Sequence, residues 1–105
     1  MYALAQFTIH DRARYDRYAS RFMRVLAAFD GRVLAADEAP VVVEGTWPHQ
    51  KMVLLEFPDR AAFERWAYSP EYTEIAKDRI AATAGCVVLV SGVSTSGSAT
   101  RRSPP

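Results

Sequence analysis

The chain has 105 residues, of which half are hydrophobic and 24% are charged, and its formal net charge is +1. This length and composition predict one globular domain and exclude a chain that is disordered throughout. A charge so close to zero provides no overall attraction to nucleic acid or to an acidic membrane, so neither is an expected partner. The single cysteine excludes an internal disulfide, no secretory signal is visible, and no apolar run is long enough to cross a bilayer, so we expect a cytoplasmic protein.

The first third of the chain predicts a strand followed by an amphipathic helix. Residues 2–9 are mostly apolar and contain no strand breaker. Asp11 can cap a helix by accepting hydrogen bonds from the free N–H groups of its first turn. The apolar stripe of this helix recurs at spacings of three and four and consists of Tyr15, Tyr18, Phe22, Val25 and Phe29. Gly31 is expected to end the helix in the left-handed conformation.

The middle of the chain predicts a hairpin. Two β-like pieces, Arg32–Ala36 and Val41–Gly45, lie on either side of Pro40, which argues against an uninterrupted ladder. They are either one long kinked strand or two separate strands. Residues 47–50 then form a turn, and Lys51–Phe57 is the returning strand.

The last part adds two helices, over residues 60–68 and 70–83, and a final strand over residues 86–91. Asp59 and Ser69 can cap the two helices, and Pro70 suits the first position of the second because its missing N–H costs nothing there. Gly85 is the expected stop signal. The final strand is continuously apolar and β-branched, which predicts that it is fully buried.

The order β-α-β-β-α-β predicts an α+β, ferredoxin-like sandwich, with helices on one face of an antiparallel sheet. The other face is apolar and needs cover, which on so short a chain is best supplied by a second copy. We therefore expect a homodimer and a domain over residues 1–93. Residues 94–105 are rich in Ser, Thr, Gly, Arg and Pro and are expected to form a disordered tail.

The string Glu44-Gly45-Thr46-Trp47 places a carboxylate and an indole beside a glycine at a predicted strand end. Glu44 is either a rim carboxylate paired with a basic residue or a partly desolvated acid that can move a proton. A bulge at Gly45 would turn Glu44 and Trp47 to the same side. Trp47 and Trp66 are either core or interface aromatics or the walls of a ligand pocket.

The last helix carries the second candidate group. Tyr72 and Arg79 are seven positions apart and share one helix face. Arg79 stands among apolar residues, and a buried guanidinium needs an acid partner, for which Glu44 is the candidate. That pair would either lock the helix to the sheet or anchor an anionic or carbonyl ligand. Ser69 and His10 are further candidates for ligand contact, although His10 is expected to be solvated.

No metal or cofactor pattern is present in the sequence. His10, His49 and Cys86 lack metal-ligand spacing, and there is no glycine-rich phosphate loop. We therefore expect no metal and no cofactor.

The first helix also carries a basic flank, which could suggest nucleic-acid binding. We expect it instead to form surface ion pairs with acidic residues of the last helix. The two sets are Arg14, Arg17, Arg21 and Arg24 against Glu71, Glu74 and Asp78.

Taken in order, these segments resemble a bacterial family of unknown function in the dimeric α/β-barrel superfamily. The resemblance covers residues 2–93 and rests on Tyr2, Asp11 with Tyr15 and Tyr18, Gly31-Arg32-Val33-Leu34, Glu44-Gly45-Thr46-Trp47, Val53–Phe57, Trp66, Ser69-Pro70-Glu71-Tyr72 and Arg79. It implies a ferredoxin-like protomer that pairs through its sheet into a closed barrel. Relatives in the superfamily include cofactor-independent monooxygenases, muconolactone isomerases, polyketide cyclases and haem-binding enzymes, many with a small ligand between sheet and helices.

Two functional hypotheses follow from these residues. In the first, each protomer of a homodimer binds a compact carbonyl- or phenol-bearing metabolite and catalyses proton transfer of the isomerase, cyclase or monooxygenase type. Glu44 would be the acid/base, Arg79 the anion anchor and Tyr72 an orienting hydroxyl. In the second, the protein is a non-catalytic ligand-binding or structural dimer, and Glu44 and Arg79 form a buried salt bridge. A cavity beside Glu44 would favour the first hypothesis.

Overall fold

A computed structural model describes residues 1–93 as a four-stranded antiparallel sheet with helices packed on one face. In chain order the elements are β1 (Tyr2–Ile9), α1 (Arg12–Ala28), β2 (Arg32–Asp37), β3 (Lys51–Glu56), α2 (Arg60–Ala67), α3 (Pro70–Ala82) and β4 (Thr83–Val90). The strand order is β2-β3-β1-β4. The predicted α+β, ferredoxin-like arrangement is confirmed. The predicted tail, residues 94–105, lies outside the described residues.

The three predicted helix caps are confirmed. The side chains of Asp11, Asp59 and Ser69 each accept a hydrogen bond from the backbone N–H three residues later, at 3.2, 2.8 and 3.0 Å. Each such cap stabilises its helix by about 1 kcal/mol. The Ser69 hydroxyl also donates to the carbonyl of Trp66 at 2.8 Å, so this one buried side chain joins the end of α2 to the start of α3.

The end of α1 differs from the prediction. Asp30, not Gly31, takes the left-handed conformation, with φ of 66°. Gly31 is required for a different reason, because a Cβ there would lie 2.4 Å from Leu26 Cδ1 and 2.6 Å from Phe57 Cε1. The glycine therefore allows the chain to pass close to the core instead of supplying an unusual backbone angle.

The prediction of a strand over Val41–Gly45 is wrong. Asp37, the last residue of β2, pairs with Met52 near the start of β3, so β3 has no further residues for a second segment to pair with. The valines therefore remain in the loop between β2 and β3, with Val41 87% exposed and Val43 94% exposed. A β-branched segment forms a strand only where a neighbouring strand offers hydrogen bonds.

The predicted bulge at Gly45 is also wrong. Gly45 does adopt a positive φ of 85°, but it does so within the loop. The register shift in the sheet lies between Val33 and Ala35 of β2. Since Glu44 and Trp47 do not stand on a strand, the argument that placed both on one side of the sheet no longer applies.

The last strand begins earlier and is more exposed than predicted. It starts at Thr83 directly after α3, and Gly85 lies inside the strand instead of stopping the helix. The expected full burial is wrong for a single chain, because Val88 is 47% exposed, Val90 is 45% exposed and Cys86 is exposed. β4 is an edge strand, and nothing within residues 1–93 covers its outer face.

Ion pairs between α1 and α3 form as predicted at one acidic residue. Arg14 and Arg17 contact Asp78 at 2.9 and 3.4 Å. The hydrogen bond from Arg14 is the main reason that the pKa of Asp78 lies below its usual value. Glu74 instead pairs with Lys77 along α3, at 3.1 Å, so the predicted pairing of the two full stripes is not observed.

None of the helices within residues 1–93 combines the length and the apolar content needed to cross a lipid bilayer.

Candidate functional site

A cavity of about 780 Å³ lies between the sheet and the helices, within the size range of small-ligand sites. Its walls are mostly apolar side chains from the inner face of the sheet and from all three helices. Small side chains on both walls leave the space open. The alanines that line it are Ala3, Ala5, Ala19, Ala36, Ala67 and Ala76.

A continuous row of aromatic rings runs along this cavity, and we call it the aromatic row. Its members, in order, are Trp66, Tyr72, Tyr18, Tyr15 and Phe7. The successive ring centres are 4.0, 6.1, 5.6 and 6.4 Å apart. All five side chains are buried, and all five line the cavity. The row joins residues of β1, α1, α2 and α3, with successive rings tilted or edge-to-face, and forms an aromatic wall of the cavity.

Two phenols in the middle of the row form a buried hydroxyl pair. The oxygens of Tyr18 and Tyr72 are 3.0 Å apart. Burial raises the pKa of Tyr18 well above its usual value, and the neighbouring Tyr72 acts in the same direction, whereas the charge of Arg79 opposes both. The Tyr18 hydroxyl therefore keeps its hydrogen at neutral pH. One hydrogen joins the pair, and the other has no acceptor among residues 1–93, so it is available to a ligand oxygen.

Arg79 reaches the cavity from the last turn of α3. Its guanidinium carbon lies 5.3 Å from the centre of the Phe7 ring, a cation–π distance. The guanidinium makes no ion pair with any residue of the described part of the chain, and its buried Nε atom has no hydrogen-bond partner there. A half-buried guanidinium in this state is available to an anionic or carbonyl oxygen.

A second cation, Lys51, lies at the same end of the aromatic row. Its ammonium nitrogen is 5.0 Å from the centre of the Tyr15 ring, and the side chain is only 15% exposed. It also contacts Glu38 at 3.4 Å, at the edge of the site. The Arg12 guanidinium holds the same carboxylate through two hydrogen bonds of 2.9 Å, and this keeps the pKa of Glu38 below its usual value.

The structure brings together three of the residues that the sequence singled out. Trp66, Tyr72 and Arg79 all line the cavity. Ser69 is buried beside it, but its hydroxyl is used in the helix cap. The remaining candidates lie outside the lining: His10 is exposed, and Trp47 is half-buried in the loop, where its indole N–H has no hydrogen-bond partner in the described part of the chain.

The predicted Glu44–Arg79 pair is wrong. Glu44 is exposed in the loop that precedes β3 and makes no ion pair with Arg79. The pair was inferred from a strand that does not form, so its physical basis is absent. No aspartate or glutamate lines the cavity within residues 1–93.

Sequence reasoning missed the residues that complete the site, above all Tyr18 and Lys51. The available signal was the polar tip of Tyr15 and Tyr18 in a helix stripe otherwise made of Phe and Val. A buried tyrosine hydroxyl usually needs a partner, so two of them on one stripe indicate a polar feature inside the core. Residues 1–93 contain no group of three or more His, Cys, Asp or Glu side chains placed to hold a metal ion.

Comparison with solved structures gives the same fold. A protein of unknown function from Rhodopseudomonas palustris matches with a TM-score of 0.68 and 19% identity, over 83% of this chain and 78% of that one. SnoaB, a cofactor-independent oxygenase from Streptomyces nogalater, matches with a TM-score of 0.63 and 16% identity, over 90% and 94%. A dimeric ferredoxin-like protein of unknown function from Jannaschia sp. CCS1 matches with a TM-score of 0.57 and 15% identity, over 85% and 97%.

Sequence comparison places the chain in a family. The curated proteins contain no sequence match to it. A family model, however, matches residues 1–93, the whole of the part that the structure describes. The chain belongs to the family described as a domain of unknown function, DUF1330, which confirms the resemblance seen in its sequence.

Proposed function

We propose that this protein binds a compact carbonyl- or phenol-bearing metabolite between its sheet and its helices and catalyses a proton transfer on it. One observation carries the proposal: an apolar cavity of about 780 Å³ contains a guanidinium that lacks an acid partner within residues 1–93. A cation in such surroundings stabilises negative charge more strongly than it would in water. Loss of a proton from a ketone or a phenol, to a water molecule admitted beside exposed lining residues such as Met23 and Ile80, leaves negative charge on the oxygen that Arg79 would hold.

The hydroxyl pair supplies the proton donor in this proposal. The Tyr18 phenol is neutral at physiological pH, and the pair has one hydrogen free to meet a ligand oxygen. The sequence alone suggested Glu44 as the acid/base. Glu44 lies in the exposed loop before β3 and does not line the cavity, so it has no role in this proposal. Tyr72 keeps the orienting role expected from the sequence, since it fixes the position of the Tyr18 hydroxyl.

The likeness to SnoaB supports this proposal only at the level of the fold, because the two chains are 16% identical. A fold of this kind can accommodate a cofactor-independent oxygenase, but the site decides the reaction. The argument for proton transfer therefore rests on Arg79 and the hydroxyl pair.

Filling the cavity tests whether it is the ligand site. Ala5 lies on the inner face of β1, and Ala5→Leu adds three carbons to the cavity wall. With 2-naphthol as the probe, we expect isothermal titration calorimetry to show a Kd weakened by roughly tenfold or more. The melting temperature should change little, because the added carbons occupy open space instead of overpacking the core.

The matched control is Ala61→Leu, at an exposed position of α2, which should leave the Kd unchanged. If Ala5→Leu binds 2-naphthol as tightly as the natural chain, the probe binds elsewhere and the assignment of the cavity fails. If the natural chain does not bind 2-naphthol at all, the proposal of a phenol-binding cavity fails with it.

We also propose that the protein is a homodimer that pairs through the outer face of the sheet. This face carries Leu4, Met52 and Leu54 in its centre, and Val88 and Val90 are nearly half exposed at one edge. A contiguous apolar surface of this kind is typical of protein–protein contact. The similar protein from Jannaschia sp. CCS1 is dimeric.

Sedimentation equilibrium is expected to give twice the chain mass of 11.7 kDa. Val90→Asp should shift the mass toward that of one chain, because it places a charge in the apolar contact outside the cavity lining. Val41→Asp, in the exposed loop, is the matched control and should leave the mass unchanged. A natural chain that sediments as a single copy would contradict the dimer.

A further inference from the structure

The two ends of the aromatic row differ in chemistry. At one end Trp66 packs against three phenylalanines, with ring centres 5.3 to 6.1 Å apart. The only polar side-chain group of this cluster is the indole N–H, which is buried and has no hydrogen-bond partner within residues 1–93. At the other end, Arg79 lies over the Phe7 ring and Lys51 over the Tyr15 ring, and both cations line the cavity. Arg12 also lies 5.9 Å from the centre of the Tyr15 ring, but it is outside the lining and is paired with Glu38. The site is therefore apolar at one end and doubly cationic at the other.

The two cations lie over neighbouring rings. The rings on which they lie are in edge-to-face contact, with centres 6.4 Å apart. Two positive charges in a largely apolar site repel each other, and within residues 1–93 no carboxylate lines the site to neutralise them. Bringing them together is costly unless a bound group supplies the missing negative charge.

The nearest carboxylate cannot fully supply this charge. Glu38 reaches Lys51 only at 3.4 Å, because two shorter hydrogen bonds of 2.9 Å hold it to Arg12. It does not contact Arg79. An ammonium has three donors and a guanidinium has five, so both cations keep unused donors.

From this arrangement we infer that the ligand is a largely apolar monocarboxylate whose carboxylate binds between Arg79 and Lys51. The guanidinium fork matches a carboxylate with two parallel hydrogen bonds, whereas a lone hydroxyl would use only one of them. The apolar body of the ligand lies along the aromatic row toward Trp66. The two terminal nitrogens of Arg79 bind the carboxylate, and its buried Nε–H, which has no partner within residues 1–93, is left for the carbonyl or phenol oxygen that also meets the free hydrogen of the Tyr18–Tyr72 pair. This inference rests on the proposed function, since it assigns the substrate class of the same cavity.

Two probes of the same shape test the carboxylate. In titration calorimetry with the full chain, we expect 2-naphthoate to bind at least roughly tenfold more tightly than the neutral 2-naphthamide. Arg79→Met should abolish this preference and leave the affinity for 2-naphthamide nearly unchanged, because methionine keeps the apolar contact with Phe7. Lys51→Met should also reduce the preference for 2-naphthoate. It tests the same inference if circular dichroism shows that Arg79→Met does not fold.

The matched control is Arg24→Met, which removes one positive charge from an exposed position of α1 outside the cavity. It should retain the full preference for 2-naphthoate. Equal binding of the two probes, or a preference that survives both Arg79→Met and Lys51→Met, would overturn the carboxylate assignment while leaving a ligand cavity in place. Failure of both probes to bind, together with failure of 2-naphthol, would instead overturn the proposed function itself.

Discussion

Replacing Gly85 with alanine is expected to lower the free energy of unfolding by about 3 kcal/mol, the upper part of the range for inserting an atom into a packed site. A Cβ at this position would lie 1.9 Å from the carbonyl oxygen of Gln6 and 2.9 Å from Cα of Phe7. Both are backbone atoms of β1, so no side-chain rotation relieves the contact and β1 and β4 must separate. Urea unfolding followed by circular dichroism measures the loss.

Gly92→Ala is the matched control for this substitution. A Cβ there would also be too close to its neighbour, at 2.7 Å, but the neighbour is Cε2 of the Tyr2 ring, which can move aside. We expect it to cost clearly less than Gly85→Ala. If the two variants unfold at the same urea concentration, the close approach of β4 to β1 at Gly85 is not a constraint on the fold.

Removing either hydroxyl of the buried pair is expected to destabilise the protein, by about 1–3 kcal/mol for Tyr18→Phe or for Tyr72→Phe. Each substitution leaves the other hydroxyl buried without its partner at 3.0 Å. The double variant removes both polar groups and should therefore cost less than the sum of the two single variants. A double-mutant cycle in urea unfolding measures this coupling.

Tyr68→Phe provides the control for the loss of a hydroxyl, since Tyr68 is 78% exposed. Its effect should stay within about 0.5 kcal/mol, as for most surface substitutions. Strictly additive effects of Tyr18→Phe and Tyr72→Phe would show that the two hydroxyls do not interact in the folded protein. In that case the proton donor proposed for the site would lose its structural support.

The elements that sequence reasoning predicted well are those whose signals are local. The caps at Asp11, Asp59 and Ser69 act on backbone groups three residues away, so a short string is enough to identify them. The stripe of α1 likewise follows from helical spacing alone. Tyr72 and Arg79 were correctly assigned to one helix face for the same reason, and both line the cavity.

The elements that it predicted wrongly depend on distant partners. Val41–Gly45 has the composition of a strand, but β2 already pairs with β3 as far as Asp37 and Met52, and the segment stays in a loop. The predicted pairing of Glu44 with Arg79 is wrong for the same reason, because it assumed that Glu44 stands at the end of this strand. A β-strand is stabilised by the strand beside it, and a sequence window does not contain that neighbour.

The sequence by itself therefore determined the fold class, the N-terminal ends of the helices and the family, because each depends on residues that are near one another in the chain or on a recurring order of motifs. Which of these residues meet in one site was decided only by the tertiary structure. Tyr18 and Tyr72 are 54 positions apart and meet only because α1 and α3 pack side by side on the sheet. The cavity, the two cations at its end and the free hydroxyl hydrogen all arise from such long-range packing, in which the space between elements matters as much as the residues themselves.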